Sequence, residues 1–354
     1  MPARITIRDV ARLADCGVAT VSRVLNGSGP ASETVREKVF AAAAELGFEF
    51  SEVGRSLQSR RSHTIAIVVP SLRNDVFASA IEGAQQAASE AGYQVLLSCV
   101  NYEPKVEAEA LRTLVAKGIE GAVLTVTNPS DSRGLAYLEQ HGIPYCMMFN
   151  QSDSARPSVS VDNVEAARVV AKQLMANGHE EIGFVALRFL SSERSRLRFD
   201  GFAEELRQNG HTAIHLLEAP PERERLDAEF TAFLDEHPRM SAIFASNDLL
   251  ALSCIRLLRR LGRKVPDDIS VVGFDGIDAG ELMNPSLATI VTPSAEMGRL
   301  AAQRVLDAIA HGRDVTPDNQ FLPFDFRAGS SLGPCRLQNA DGRAATRPSV
   351  SLTP

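Results

Sequence analysis

The 354-residue chain reads as an α/β protein in two parts, a small all-α helix-turn-helix domain followed by a two-lobed core built on parallel sheets. Three observations lead there. The first fifty residues hold three short apolar-periodic segments, with a glycine between the first two. From Thr64 onward, short apolar runs alternate with amphipathic stretches, the pattern of strands buried on both faces and joined by helices. The charge is also divided: residues 1–62 carry nine Lys and Arg against seven Asp and Glu, and the remainder 28 against 37, so a net of +2 precedes a net of −9. That sign suits a head that meets phosphates and a body that does not.

In the head, Thr6 can cap a helix and Asp9 can return the bond as a capping box, while Val10, Leu13 and Ala14 supply an apolar stripe. Gly17 is expected to stop this helix and permit a tight turn. The next stretch, GVATVSRVLNG, puts Val18, Val21, Val24 and Leu25 on one side of a helix. Ala19, Ser22, Arg23 and Asn26 fall on the other side, with Thr20 at the edge. A third helix starts near Ser32 and runs through Val35, Val39, Ala42 and Leu46 to Gly47.

Three short helices with one tight turn make a helix-turn-helix domain over residues 1–50. The polar face of its second helix then has a use. Ala19 admits close backbone approach, Thr20 and Ser22 can bond phosphates or base edges, and Arg23 can reach a guanine bidentately. The plainer alternative is a small bundle whose polar face is simply wet. The hinge segment 51–62, SEVGRSLQSRRS, is basic with lone apolar residues Val53 and Leu57. It is too short to be helical alone and suits a segment that folds on a partner. Leu57 can wedge between base steps in a minor groove while Arg55, Arg60 and Arg61 meet phosphates.

In the body, strands are expected at 64–70, 93–100, 121–127, 144–149, 181–187, 212–218, 241–246 and 269–275, in two groups parted near 158–163. Open α/β sheets bind ligands at the carboxyl ends of their strands. Those ends offer Ser71, Asn74, Phe77, Thr125, Asn150, Gln151, Arg198, Asn247, Asp248 and Asp275. Donors and acceptors with one aromatic suit a hydroxylated or carboxylated metabolite. Asp248 is expected to cap the helix after it, and Asn247 and Asp275 to face the ligand. Of Arg194, Arg196 and Arg198, only Arg198 is assigned to the pocket, and Arg188 is a weaker candidate. His141 and His179 are expected to satisfy local hydrogen bonds.

Several classes are disfavoured. An apolar fraction of 44% with 23% charged residues is ordinary for a globular core. No apolar run approaches the roughly 20 residues of a membrane helix. The opening MPARITIRDV has no apolar segment of the kind that directs export. Five scattered cysteines lack metal-ligand spacing, so a reduced cytoplasm without structural zinc is expected. No GxGxxG or Walker A motif follows the first strand, and no nucleophile stands with a base, so neither a cofactor nor catalysis is expected.

At this point the residues resemble the lactose-repressor (LacI) family of bacterial transcription regulators. The likeness spans about residues 4–333, carried by TIRDVARLA, TVSRVLNG, SETVREKVFAAAAELGF, the hinge RSL, FASNDLLALSCIRLLRRLG, VPDDISVVGFDG and LATIVTP. It implies a homodimer on a double-stranded DNA operator, with the second helix of each head in a major groove and paired hinge helices in the minor groove. It further implies a core resembling periplasmic sugar-binding proteins, with a small-molecule effector between the lobes. Thr6, Val18, Ala19, Thr20, Ser22, Arg23, Asn26, Val53, Arg55 and Leu57 make up the expected DNA contacts. Asn74, Phe77, Thr125, Asn150, Arg198, Asn247 and Asp275 make up the expected effector set. The core is expected over 63–333, with an N-lobe of 63–161 plus 294–318, a C-lobe of 162–293 plus 319–333, and a disordered tail over 334–354.

The departures from the family pattern have consequences of their own. Asp15-Cys16-Gly17 replaces the family's Gly-Val-Ser turn, so a glycine stands where a serine usually caps the reading helix. Phe50 and Ser51 replace the Pro-Asn that opens the hinge, and Gly54 replaces a common alanine, at a cost of about 1 kcal/mol to a helix. Such a hinge should depend more on the state of the core. Two other classes compete with this reading. A transport receptor would share the core but not the head, and an enzyme would need a catalytic pair.

Overall fold

The computed structural model describes residues 5–25, 29–48, 61–151, 156–220 and 223–336. The chain divides into two compact units between His63 and Thr64. The first holds α1 (Ile7–Leu13), α2 (Val18–Leu25) and α3 (Glu33–Leu46) around Val10, Ala14, Val21, Val24, Val39 and Ala42. Thr6 starts α1 by donating both its backbone N–H (2.9 Å) and its hydroxyl (2.7 Å) to Asp9 Oδ2. The turn after α1 departs from expectation. The left-handed residue is Asp15, at φ 51°, and Gly17 is not. A short polar side chain tolerates that region, which leaves the Gly17 carbonyl to start α2 by accepting from Thr20 (2.9 Å) and Val21 (3.0 Å). Val18 is also not part of the packed side, being 44% exposed.

The second unit has two lobes of similar plan. In the first, β1 (Thr64–Val69), α4 (Asp75–Glu90), β2 (Gln94–Cys99), α5 (Pro104–Ala116), β3 (Gly121–Leu124), α6 (Arg133–Gln140), β4 (Tyr145–Met148) and β5 (Ser158–Ser160) alternate along the chain. The second lobe continues with α7 (Asn163–Ala176), β6 (Ile182–Leu187), α8 (Glu193–Gln208), β7 (Ile214–Ala219), α9 (Arg223–Glu236) and β8 (Ala242–Ala245). It is completed by α10 (Asp248–Arg260), β9 (Ser270–Asp275), α11 (Asp278–Glu281) and β10 (Ala288–Val291). The chain then runs through α12 (Ser294–His311), β11 (Asn319–Phe321) and β12 (Asp325–Arg327).

The sheet orders are β11-β5-β4-β3-β1-β2 and β12-β10-β9-β8-β6-β7. Every pairing is parallel except that of β12 with β10. Central strands such as β1 and β9 are buried on both faces, which is why they read as unbroken apolar runs. Helix α12 returns to the first lobe and crosses α4 at backbone contact: a Cβ on Gly298 would fall on the Ala80 carbonyl, and one on Gly83 on that of Ala295. The expectation that 319–333 lies wholly in the second lobe is corrected. Strand β11 pairs with β5 of the first lobe, and only β12 joins the second. Strand β5, read from sequence as the boundary itself, has its edge free for β11 to extend. The chain therefore passes between lobes at 160–163, 291–294 and 321–325. The tail expected from 334 is also held at its start. Cys335 donates its N–H to the Asn177 carbonyl (2.8 Å), and Arg336 pairs with Asp267 (2.6 Å).

Candidate functional site

In the head, α2 buries Val21 and Val24 and leaves Val18, Ala19 and Arg23 exposed, with Thr20 and Ser22 half-buried. These five residues share the solvent side of one helix. The Arg23 stem passes close to Gly29, where a Cβ would meet its Cδ at 2.8 Å. Thr6 is exposed, but its hydroxyl is engaged by Asp9 (2.7 Å). Asn26, Val53, Arg55 and Leu57, and most of the hinge, lie outside the described residues.

In the core, the polar groups converge on Asp275, which ends β9 at a left-handed φ of 127°. Its Oδ2 accepts from Asn74 Nδ2 of the first lobe (2.9 Å), and its Oδ1 lies 3.7 Å from the Arg198 guanidinium. Arg198 rises from α8, donates to the Ser246 carbonyl (2.5 Å) and to Asn163 Oδ1 (2.8 Å), and stacks 3.4 Å over the Phe274 ring. Burial pushes the Asp275 carboxyl up to about 7, against the pull of Arg198 and with a further push from Asp248. Burial likewise draws Arg198 down to about 10, so it stays charged at neutral pH. Asn74 Oδ1 is buried and has no hydrogen-bond partner among the described residues.

A second seam escaped the reading of the sequence. Glu193 opens α8, accepts from Asn150 Nδ2 (2.9 Å) and from the Gln151 N–H (3.1 Å), and donates its own N–H to the Thr127 carbonyl (3.0 Å). Its carboxyl is raised by burial, with Arg194 the strongest opposing influence. Arg194, left out of the pocket by the sequence, is buried and donates to the Val126 carbonyl (3.2 Å). The signal was present, because Arg194 and Arg198 are four apart on one helix face. Arg196, between them, faces water and pairs with Asp200 (3.1 Å).

Other assigned residues have different duties. Thr125 spends its hydroxyl on the Met148 carbonyl (2.9 Å). Asn150 pairs with both backbone groups of Val126 (2.8 and 3.0 Å) as well as with Glu193. Phe77 is buried edge-on against Phe149, with centroids 5.2 Å apart. Asn247 and Asp248 both depart from their expected roles. Asn247 Oδ1 caps α10 by accepting from Leu250 (2.8 Å). Asp248 instead accepts from the Gly276 and Ile277 N–H groups (2.8 and 2.9 Å) and from Thr289 (2.6 Å), bracing the turn that carries Asp275. His141 bonds locally, to the Tyr137 carbonyl, whereas His179 bridges two groups far along the chain, Ser241 and the Gly333 carbonyl.

Beside these groups lies a cavity of about 790 Å³, bounded by Asn101, Tyr102 and Glu103 of the first lobe and by Arg188, Ser191 and Leu249 among residues of the second. The Tyr102 phenol is pushed up to about 12 by burial, with Arg194, Asp275 and Arg198 near enough to act on it. Asn74, Arg194, Arg198 and Asp275 do not themselves line this cavity; Tyr102, on its wall, is the residue through which it adjoins them.

A head with an outward-facing polar helix, joined to a two-lobed core with a polar cleft, defines a ligand-responsive DNA-binding protein. The chain belongs to the LacI family of bacterial regulatory proteins. Residues 6–50 match the family's DNA-binding region, and residues 62–327 match the periplasmic binding proteins and sugar-binding domain of the LacI family. It is 32% identical to the HTH-type transcriptional regulator GntR of Escherichia coli K12, over 93% of this chain and 99% of that one. It is 31% identical to the ribose operon repressor of Halalkalibacterium halodurans, over 86% and 90% of the two chains. The lac repressor dimer bound to operator and the anti-inducer ONPF superposes with a TM-score of 0.82 at 26% identity, covering 93% of this chain and 99% of that chain. The protein is accordingly a sequence-specific DNA-binding transcriptional regulator controlled by a small polar metabolite, from a family of regulators, not enzymes. Among the described residues no helix is long and apolar enough to cross a membrane.

Proposed function

We propose that the protein is a cytoplasmic, homodimeric repressor without catalytic activity of its own, released from its operator by a sugar or sugar acid bound between the lobes. In this reading Val18, Ala19, Thr20, Ser22 and Arg23 of α2 read the major groove. Asn74, Phe77, Tyr102, Arg194, Arg198 and Asp275 surround the effector. The lac repressor structure with operator and the CelR structure with cellobiose, the latter at a TM-score of 0.67, support the class of both ligands.

One observation carries the effector assignment. Asn74 reaches across from the first lobe to Asp275 of the second, yet its carbonyl oxygen is buried without a donor among the described residues. A ligand hydroxyl would supply that donor, and the cost of leaving such an acceptor unpaired is about 1–3 kcal/mol. Ligand binding and the set of the two lobes are then the same event, which biases the hinges.

The test is a pair of variants on upstream DNA with sugars and sugar acids added in turn. Arg23→Ala should lose about 1–3 kcal/mol of operator affinity and keep effector affinity. Asp275→Ala should keep operator binding and lose release by effector. Unchanged operator preference in the first variant would refute the reading face, and normal release of the second would refute the cleft.

A further inference from the structure

We propose that Glu181, His215 and His237 form a binding site for a divalent transition metal on the second lobe, at the end remote from the effector cleft. The three residues come from separate rigid elements. Glu181 precedes β6, His215 is the second residue of the edge strand β7, and His237 follows α9. They therefore gather at the amino ends of the strands, whereas the cleft lies at the carboxyl ends. One ligand atom from each lies within 4.8 Å of the other two, and all three residues are half-buried.

The local chemistry is that of a coordinating set. His215 Nε2 is 3.2 Å from Glu181 Oε1. The two imidazoles stack with centroids 3.6 Å apart and planes 15° from parallel, and the Phe233 edge lies against His237 at 5.2 Å. Neutral imidazole nitrogen is a common metal ligand. Arg239 holds the far carboxylate oxygen, Oε2, at 3.3 Å and leaves Oε1 toward the rings. Two imidazole nitrogens and one carboxylate oxygen select zinc, nickel, cobalt or copper over magnesium or calcium.

Nearly parallel rings cannot both aim a lone pair at one ion. Binding therefore turns one imidazole about its Cβ–Cγ bond and breaks the stack, while the backbone positions stay. The bound metal ties the exposed edge strand to the end of α9. Fastening three elements in this way should stabilise the lobe without touching the polar cleft.

The test uses the untagged, chelator-treated full chain with zinc or cobalt(II) as the probe. Calorimetry should find one site per chain at about micromolar affinity, and cobalt(II) should develop visible d–d bands. At 100 times the dissociation constant, the melting temperature should rise by roughly 5 °C. His215→Ala and Glu181→Gln should each weaken binding at least tenfold and remove the thermal shift, with operator binding retained as the check on folding. Arg239→Ala should tighten binding by removing a competing cation. Zinc binding unaltered in both His215→Ala and Glu181→Gln, or zinc no tighter than magnesium, would overturn the site.

Discussion

The two lobes of the core share one frame and differ in what they carry on it. Their strand orders correspond position by position, differing only in that the last strand of the first lobe is parallel and that of the second antiparallel. At the cleft they are unlike. The first lobe spends its strand-end side chains largely on itself: Thr125 and Asn150 bond its own backbone, and Asn150 adds one bond across to Glu193. Glu107, buried on α5, accepts from the Thr127 N–H (3.0 Å) and the Ser132 hydroxyl (2.7 Å). What it presents is a fixed rim of carbonyls at Val126 and Thr127, with Asn74 and the Phe77 ring.

The second lobe sends the charges. Arg194 and the Glu193 backbone meet that rim, and Arg198 and Asp275 stand behind them. Similar sheets thus divide the work, one holding still and the other supplying groups that are costly to bury. Removing charges from water costs several kcal/mol per ion unless pairing is good, and the 3.7 Å separation of Arg198 and Asp275 is loose.

Breaking the charged side should have the largest effect. Arg198→Met strips a partner from Asp275, the Ser246 carbonyl and the Asn163 amide together. Urea unfolding should show a loss of about 3 kcal/mol, and operator release by effector should disappear. A variant as stable as the parent would mean that the charge is not structural.

Next in size is a pH effect. Asp275, raised to about 7, favours its protonated form in the folded state. Its contribution to stability is therefore complete below the ordinary carboxylate range near 4 and is lost as pH rises through about 7. Glu107, Glu193 and Asp248 are raised too and act in the same direction. His179, lowered to about 4, acts oppositely as pH falls below about 6.5, and both effects cancel when a variant is compared with its parent. Asp275→Asn should therefore raise the melting temperature most at pH 8 and least at pH 4. A difference independent of pH would remove the titration from the account.

The smallest effect should come from the rigid side. Glu107→Gln keeps an acceptor for one of its donors and places an amide where the other stood, for a loss of about 1 kcal/mol by thermal unfolding. Effector affinity should fall less than in any second-lobe variant. A larger loss than for Arg198→Met would reverse the division of labour between the lobes.

Much of the frame was legible in the chain. The head showed through apolar spacing, and each of the eight strands expected from sequence coincides with one in the structure. The site was legible only in part. Asn74, Phe77, Arg198 and Asp275 are found together, whereas Arg194 was not assigned to the pocket and Glu193 was not singled out. Asn247 and Asp248 are neighbours with equal claims to cap α10, and only the position of the Gly276–Ile277 turn decides between them. Nothing local announces that β5 will gain a partner from residues 319–321.

The amino-acid sequence alone determined the three helices of the head, eight of the strands, and the Val21–Val24 side on which α2 packs. Those properties depend on residues one to four places apart, where periodicity is written directly. The tertiary structure decided which polar side chains are satisfied and which wait for a partner. Burial and pairing join groups far apart along the chain: Asn74 and Asp275 are separated by 201 residues, and their meeting is a property of the folded lobes.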